Sequence, residues 1–464
     1  MVLSVILLVT ILALLVSGYW LNSDFKVERQ GMLQISSEPS GATVDIDGDA
    51  PWFQRTNTSK VLSAGEHTIT LTKDGYDSWS KTVSIREGLL YRIHYPRLFL
   101  TERKPTPVYD LAGTTFATIS PDHTKLLLAN TATSWQLIDL TQDQLSAKPL
   151  SIASILSPEA TTFTGTIIEA NWDHNNTHVL MKIQHDASFE WILLNTGNPR
   201  EHINLSLEFP TTDFTDIEIL DNSASTLLIV SNGNLHKLDL PSRQISDVLI
   251  KDIYSYDHYG NEIIYSTKSP TTQIVTGKTD TIPDTTNSAP TPSYEIGLLN
   301  LGSPVPKSLF TRPTATKVFI SHFYDDKYLT LLSASDSDST NVTIYKKDNL
   351  AETFRGVINM SPNTAKIGYD GEFIIMLKDA SVATLDMESL TIREWTLDSA
   401  SYGWLDDNML YTVINNNLIV YDYDGLNRRP LADSVSPSFP ATVSDNKWLY
   451  YASNGKLTRE RIAK

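Results

Sequence analysis

The sequence predicts an all-β protein whose largest part is a β-propeller. Short β-prone runs alternate with turn-forming clusters of Asn, Asp and Gly along most of the 464 residues. In the unit Trp404 to Arg429, the runs MLYTVI and LIVYDY lie between Asp-Asp-Asn, Asn-Asn-Asn and Asp-Gly clusters. Antiparallel hairpins need such spacing, because turn residues reverse the chain between two strands. The unit recurs at a spacing of about 36 to 68 residues, the longest including an insertion, and four-stranded units near this period indicate propeller blades.

Composition excludes several classes of site. The formal net charge is −17 with a pI near 5.0, and no cluster of Lys and Arg suits a nucleic-acid surface. There is no cysteine, which excludes disulfides, thiolate metal sites, a thiol nucleophile and a lipoprotein-type lipid anchor. We therefore predict no nucleic-acid partner and no cofactor.

The N-terminal segment predicts a membrane anchor. Val2 to Leu21 is apolar and uncharged, with Tyr19 and Trp20 at its end. About 20 apolar residues in a helix span the hydrocarbon layer, and aromatic residues favour its boundary. Residues 1–22 are thus expected to form a transmembrane helix, with the C-terminal bulk exported from the cytoplasm and the protein in a cell envelope. The alternative is a cleaved signal peptide.

Residues 31–100 predict a small β-sandwich. The segments SSEPSGATVDIDG and AGEHTITLTKDGY contain alternating apolar residues and turns at Pro39 to Ala42, Asp47-Gly48 and Lys73 to Tyr76. In these segments the chain resembles the PEGA domain, whose Pro-Glu-Gly-Ala motif stands here as Pro-Ser-Gly-Ala. It departs from that family at Asp49 to Phe53, where Gly-x-Thr-Pro usually follows. The resemblance implies an exported surface protein with cell-envelope contacts and no catalytic residues.

Residues 104–464 predict an eight-bladed propeller, with seven blades as the alternative. The turn–strand–turn–strand unit occurs in eight copies, and the last copy ends after its third strand. The nearest spare strand is Pro107 to Leu111, which we expect to complete the final blade as its outermost strand. Residues 267–293 are rich in Thr, Ser and Pro and predict a flexible loop between the second and third strands of the fourth blade. The blades resemble the broad TolB-like and WD40-like class, with Ser120-Pro121-Asp122 as its common turn.

No catalytic, cofactor or metal residues are assigned. Nucleophile-elbow, HExxH, P-loop and dinucleotide motifs are all missing from the sequence. The best histidine cluster falls in a hairpin turn that enters a strand, so its members are interpreted as turn residues. The Asp-Asp pairs at 325–326 and 406–407 are interpreted in the same way. The histidine cluster comprises Asp173, His174, His178 and His185.

The leading functional hypothesis is a non-catalytic protein that binds a protein or glycan partner through the propeller. The alternatives are a glycan-degrading lyase or hydrolase and a structural spacer. An enzyme would need carboxylates or a histidine that converge in one pocket. The residues to place are Glu169, Asp216, Glu218, Asp252 and His322, and three or more in one pocket would weaken the binding hypothesis. Most aromatic residues near the blade strands are expected in the core, and those on first strands would suit sugar stacking. The residues considered are Trp172, Trp191, Tyr256, Tyr402 and Trp404.

Overall fold

A computed structural model gives the fold. It describes residues 19–21, 27–50, 54–131, 134–152, 154–156, 166–185, 188–220, 223–269, 293–335, 338–368, 371–399 and 401–464. These residues divide into two compact units. The first unit contains the described residues of Met1–Ala112, Asp386–Thr391 and Trp395–Lys464, and the second contains those of Gly113–Leu385 and Ile392–Glu394.

The prediction of a transmembrane helix over residues 1–22 is wrong for the part that the structure describes. Residues 1–18 and 22 lie outside the described residues, and Tyr19–Leu21 forms a strand, β1, paired antiparallel with Val27 to Arg29. In the described part of the chain, no helix is long and apolar enough to cross a membrane. An apolar run fits a strand as well as a helix, and backbone pairing decided the outcome at its end. The localisation that rested on this helix, a single-pass membrane protein with an exported bulk, is corrected with it.

Two small sheets follow in the first unit. In one sheet, β2 (Val27–Ile35) pairs with β4 (Thr58–Ser63) and lies parallel to β7 (Leu90–Ile93). In the other, the strand order is β3 (Thr43–Ile46), β5 (Gly65–Thr72) and β6 (Trp79–Ile85). Alternate residues of both sheets are buried, among them Leu33, Ile35, Val44, Ile69 and Val83. The period-two apolar pattern therefore forms a shared core, as a sandwich requires.

Eight four-stranded sheets occur among the described residues of the rest of the chain. In the first seven, strands that follow one another in the chain are neighbours in the sheet. Sheets one to three contain β9 (Phe116–Ile119), β10 (Lys125–Thr131), β11 (Ser134–Asp139), β12 (Ala147–Ser151); β13 (Thr166–Trp172), β14 (His178–His185), β15 (Ser188–Asn195), β16 (Ile203–Asn204); and β17 (Phe214–Leu220), β18 (Ser223–Ser231), β19 (Asn234–Asp239), β20 (Gln244–Ile245). A 3-10 turn, Pro199–Glu201, and a four-residue helix α1, Leu205–Glu208, flank β16.

Sheets four to eight complete the series. They contain β21 (Ile253–Tyr259), β22 (Glu262–Ser269), β23 (Ser293–Asn300), β24 (Ser303–Arg312); β25 (Thr316–Phe323), β26 (Asp326–Ala334), β27 (Thr340–Lys346), β28 (Ala351–Ile358); β29 (Thr364–Ile367), β30 (Phe373–Lys378), β31 (Ser381–Asp386), β32 (Thr391–Thr396); β33 (Tyr402–Trp404), β34 (Met409–Ile414), β35 (Asn417–Asp422), β36 (Arg429–Ala432); and β37 (Thr442–Ser444), β38 (Trp448–Ser453), β39 (Lys456–Arg461), β8 (Thr106–Asp110). The predicted loop at 267–293 is too long at its ends, because Thr267 to Ser269 belong to β22 and Ser293 begins β23. Its residues 270–292 lie outside the described residues.

The eighth sheet takes its outer strand from the other end of the chain. Strand β8 pairs antiparallel with β39, and Leu457 lies opposite Tyr109. The position agrees with the expectation for Pro107 to Leu111. An edge strand otherwise presents unpaired backbone groups, and β8 supplies partners for β39.

The middle strands of the sheets are buried on both faces, which explains their continuous apolar runs. On β14, Val179 and Met181 pack with Leu127 of the first sheet. Leu180, one residue along, packs with Leu227 of the third sheet. Successive strand residues point to opposite faces, so the second sheet contributes one row of side chains to the first sheet and one row to the third.

A buried polar cluster in the first unit joins strand β6 to the turn after β35. Trp79 Nε1 donates to Asp422 Oδ2 at 2.7 Å, and Lys81 Nζ lies 2.8 Å from Asp424 Oδ2. Lys81 also donates to the hydroxyl of Tyr423 at 2.8 Å. The side chains of Lys81 and Asp424 are only 9% and 7% exposed. Burial, and then the neighbouring Asp424 charge, raise the pKa of Asp422 to about 6. We call these five residues the Lys81 cluster.

Candidate functional site

Three first strands of the second unit, β17, β21 and β25, lie side by side. Ser255 Oγ accepts from the amide of Val318 at 3.2 Å, and Asp257 Oδ2 accepts from the amide of Ile320 at 2.8 Å. The two bonds have the same sequence offset, 63 positions. A constant offset means that β21 and β25 run in the same direction. The odd-numbered residues 255 and 257 of β21 therefore face β25.

The even-numbered residues of β21 face β17. The hydroxyl of Tyr256 donates to Asp216 Oδ2 at 2.9 Å, and His258 Nε2 lies 3.7 Å from Glu218 Oε2. This offset is also constant, so β17 is parallel to β21. The His258 side chain is 9% exposed and that of Glu218 is 40% exposed. Strand alternation thus places a phenol and an imidazole opposite two carboxylates.

The electrostatics of this cluster keep Tyr256 protonated. Burial of the phenol, followed by the nearby charges of Glu218 and Asp216, raises the pKa of Tyr256 far above its ordinary value. A protonated phenol donates a hydrogen bond and is not a base near neutral pH. The pair of Tyr256 and Asp216 consequently acts as a fixed hydrogen-bonded link between two sheets.

An exposed aromatic surface lies at the end of β21. The Tyr259 ring stacks on His322 with centroids 5.5 Å apart and planes 7° from parallel. Tyr259 remains 39% exposed, and Lys327 Nζ lies 5.2 Å from its ring centroid. Tyr324, two residues beyond His322, is 48% exposed. We call Tyr259, His322 and Lys327 the Tyr259 platform.

Charged groups surround this platform. Glu262 binds Lys327 and also Lys347, whose Nζ is 2.7 Å from Glu262 Oε1. Burial alone would raise the pKa of Glu262, but hydrogen bonds from the two lysines lower it below its ordinary value. The carboxylate is therefore ionised at neutral pH and fixes Lys327 over the ring.

A glycine from the next sheet sets the position of His322. A Cβ at Gly371 would lie 2.0 Å from the carbonyl oxygen of His322. Gly371 also has φ of +75°, which L side chains rarely adopt. Only glycine lets the two backbones approach this closely.

The residues predicted for an enzymatic pocket do not converge on one point. Asp216 and Glu218 face one side of β21, whereas His322 lies on the other side against Tyr259. Glu169 is exposed and accepts from Asn171, and Asp252 lies in a turn with φ of 51°. Of these five residues, Asp216 and Glu218 share a face. The binding hypothesis would be weakened by three or more in one pocket.

The predicted histidine cluster forms a turn cap. Asp173 accepts from the amides of Thr177 and His178 at 2.6 and 2.8 Å. Burial would raise the pKa of Asp173, but these hydrogen bonds lower it. His185 faces Glu190 at 3.4 Å. No group of three or more His, Cys, Asp or Glu side chains that could hold a metal occurs in the described part of the chain.

The other predicted residues have local partners. Asp406 accepts from the Asn408 amide at 2.9 Å and lies 2.8 Å from Arg97 Nε, and Asp326 binds Lys346 at 2.7 Å. Trp191 is 3% exposed within the core. The half-buried aromatic residues are Trp172, Tyr256, Tyr402 and Trp404.

His258, Tyr259 and Lys327 were not predicted as site residues. The polar and aromatic run YSYDHY at 254–259 was the available signal, because no other first strand has this composition. Strand alternation in that run divides it between two neighbouring sheets. The identity of those neighbours depends on contacts far apart in the chain.

Comparisons with known proteins give one family match and several solved structures of low similarity. Residues 30–97 match the PEGA domain family. Comparison with curated proteins gives no match. The computationally designed Ika8 protein has 9% identity and a TM-score of 0.43, covering 77% of this chain and 99% of that one. An oligogalacturonate lyase from Vibrio parahaemolyticus has 9% identity and a TM-score of 0.40, covering 76% and 98%.

A further oligogalacturonate lyase, in complex with manganese, has 11% identity and a TM-score of 0.41, covering 78% of this chain and 98% of that one. Residues 30–97 are a PEGA domain, and the repeated four-stranded sheets of the chain have a β-propeller-like fold.

Proposed function

We propose that this chain is a non-catalytic binding protein that recognises a glycan through the Tyr259 platform. The observation that carries the proposal is a tyrosine ring that is 39% exposed yet stacked on His322. The apolar face of a sugar ring packs on such a surface, while its hydroxyls bond to charged groups at the edge. Lys327 and Glu262 supply a donor and an acceptor there.

Preorganisation supports binding at this point. His322 and Lys327 hold the Tyr259 ring, so little rotamer freedom is lost when a ligand binds. The backbone of His322 is in turn confined by Gly371. A surface tyrosine without such contacts would lose more entropy on binding.

The experiment compares three forms of the chain on an array of defined oligosaccharides. The array carries cellohexaose, xylohexaose, chitohexaose and hexagalacturonate. Tyr259→Ala should weaken binding of the oligosaccharide retained by the wild type by about tenfold or more, which corresponds to about 1.4 kcal/mol. The matched control is Tyr254→Ala, on the same strand and 44% exposed but in contact with Tyr294.

The control should bind within about twofold of the wild type, well under the tenfold change that 1.4 kcal/mol represents. Circular dichroism melting of each form checks that the fold is retained. The proposal is refuted if Tyr259→Ala binds as the wild type does, or if the wild type retains none of the four probes.

A second candidate is catalysis of glycan cleavage on the neighbouring face. It is favoured by the pairing of His258 with Glu218, since an imidazole and a carboxylate in contact can move protons. Incubation with the same four oligosaccharides, followed by separation of products, decides between the two. Cleavage that is lost in Glu218→Gln would establish the enzyme, and intact oligosaccharides recovered after binding support the binding protein.

A further inference from the structure

A cleft in the PEGA domain lies between two of its motif turns. It has a volume of about 650 Å³ and is bordered by Gly41 of the Pro-Ser-Gly-Ala turn and by Gly75 of the Lys-Asp-Gly-Tyr turn. Pockets of about 300–1,000 Å³ accommodate small ligands. A Cβ at Gly75 would meet nothing within 4 Å, so the wall is open beside that residue. The cleft is independent of the Tyr259 platform, which belongs to the other unit.

Two cations are held together at one side of the cleft. Lys73 Nζ donates to the carbonyl of Ser40 at 2.5 Å, and Arg55 Nη1 donates to the carbonyl of Gly41 at 3.1 Å. These carbonyls belong to consecutive residues, so both cationic groups are fixed beside the same turn. A lysine has three N–H donors and an arginine has five, and each tethering bond uses one of them.

The charge of the cleft differs from that of the whole chain. Arg55 and Lys73 line it together with one carboxylate, Asp74, whereas the chain carries a net charge of −17. Like charges held close together are unfavourable unless an anion lies between them. A local excess of positive charge in an acidic protein is therefore complementary to a bound anion.

Hydroxyl groups and an aromatic ring form the rest of the cleft. Thr43 on β3 and Thr72 on β5 are direct cross-strand partners, and both line the cleft. Tyr76 is 9% exposed, and its ring lies 5.8 Å from Lys73 Nζ. Its hydroxyl accepts from the amide of Lys464 at 3.0 Å, which fixes the ring in place.

We infer that this cleft binds the carboxylate of a uronic acid residue. Arg55 and Lys73 would receive the carboxylate, because charge-assisted bonds to guanidinium and ammonium groups are the strongest available. The sugar hydroxyls would bond to Thr43, Thr72 and Asp74, which supply donors and acceptors. A simple anion such as acetate would use the cations alone, and a neutral sugar would use only the hydroxyls.

The test is titration of the full chain with D-glucuronate. Binding is measured by isothermal calorimetry and by the chemical shifts of PEGA-domain amides. Arg55→Gln and Lys73→Gln should each weaken binding by about ten- to a hundredfold, the effect of a lost charged hydrogen bond. The matched control is Lys60→Gln in the same domain, where Lys60 bonds to Gln54 and does not line the cleft. It should bind D-glucuronate as the wild type does.

Three comparison ligands complete the test. D-glucose, acetate and N-acetyl-L-glutamate should each bind at least about tenfold more weakly than D-glucuronate, since each lacks one part of the recognised chemistry. Equal binding by N-acetyl-L-glutamate would overturn the assignment to a sugar in favour of a peptide-type carboxylate. Failure of D-glucuronate to bind, or its unchanged binding to Arg55→Gln, would overturn the site. Tyr259→Ala should leave D-glucuronate binding unchanged, which separates this outcome from that of the proposed glycan platform.

Discussion

Replacement of Lys81 by methionine would test what holds strand β6 to the turn after β35 in the first unit. Methionine retains much of the length and apolar volume of lysine but removes its charge and all three of its donors. The variant leaves Asp424 buried without the cation that lies 2.8 Å away. It also removes the hydrogen bonds that Lys81 donates to the hydroxyls of Tyr95 and Tyr423, at 2.7 and 2.8 Å.

The expected loss of stability follows from burial. The side chains of Lys81 and Asp424 are 9% and 7% exposed, so solvent scarcely screens the charge that remains. Removing one partner of a buried ion pair costs about 3–5 kcal/mol. The double variant Lys81→Met with Asp424→Leu should recover most of this loss, because no unpaired charge is then buried. The pair of single and double variants separates the cost of the orphaned charge from the cost of altered packing.

Amide hydrogen exchange of strands β5 and β6 is the assay, because it reports local opening in a chain with more than one compact unit. Lys81→Met should accelerate exchange there by at least about a hundredfold, because each 1.4 kcal/mol of lost stability increases the rate about tenfold. The control is Lys447→Met, which breaks an ion pair with Asp445 that is 52% and 58% exposed. Its effect should stay within about 1 kcal/mol. Equal exchange rates of β5 and β6 in Lys81→Met and Lys447→Met would refute the reasoning.

Three further predictions concern the same units. The pKa of Asp422, about 6 when folded against 3.8 ordinarily, means that the folded state binds its proton more tightly, so this stabilisation is present at low pH and lost as the pH rises through 6. As the pH rises from 4 to 6, Asp422→Asn should therefore gain stability relative to the wild type, by up to about 1.4 kcal/mol per pH unit. Urea unfolding at several pH values measures this difference, and a difference that does not change with pH would contradict the prediction. Deletion of residues 104–112 removes the outer strand of the eighth sheet and should lower the melting temperature by several degrees, whereas an unchanged calorimetric melting curve would contradict the role of β8. Gly371→Ala should force the backbone of His322 to move and cost more than about 1 kcal/mol, with oligosaccharide binding reduced alongside the thermal stability.

Local chemistry made the PEGA domain and the repeated sheets predictable. Turn residues such as Gly41, Asp47 and Gly75 lie within a few positions of the backbone that they reverse. Short sequence segments are therefore enough to predict these turns. The alternation of Leu33 and Ile35 likewise indicates one buried strand face. Both the PEGA domain and the propeller-like fold are confirmed.

The membrane helix and the Tyr259 platform show where such reasoning fails. An apolar run has no period that separates a buried helix from a strand, and pairing of Tyr19 to Leu21 with β2 is not encoded in the run itself. The contact between Tyr259 and His322 joins two sheets, so it depends on how first strands align. The run at 254–259 is polar and aromatic, but its sequence does not indicate which residues of other sheets face it.

The placement of β8 has a consequence for the order in which the chain folds during synthesis. Tyr109 cannot pair until Leu457 has been synthesised. Trp79 likewise cannot bond to Asp422 until that residue, 343 positions later in the chain, has been made. At about 5–20 residues per second, a ribosome needs roughly 20–70 s to make that stretch. The second unit, Gly113–Leu385 with Ile392–Glu394, is complete before these partners emerge. Strand β8, Trp79 and Lys81 thus lack these native partners throughout that interval, so this early segment completes its packing only at the end of synthesis.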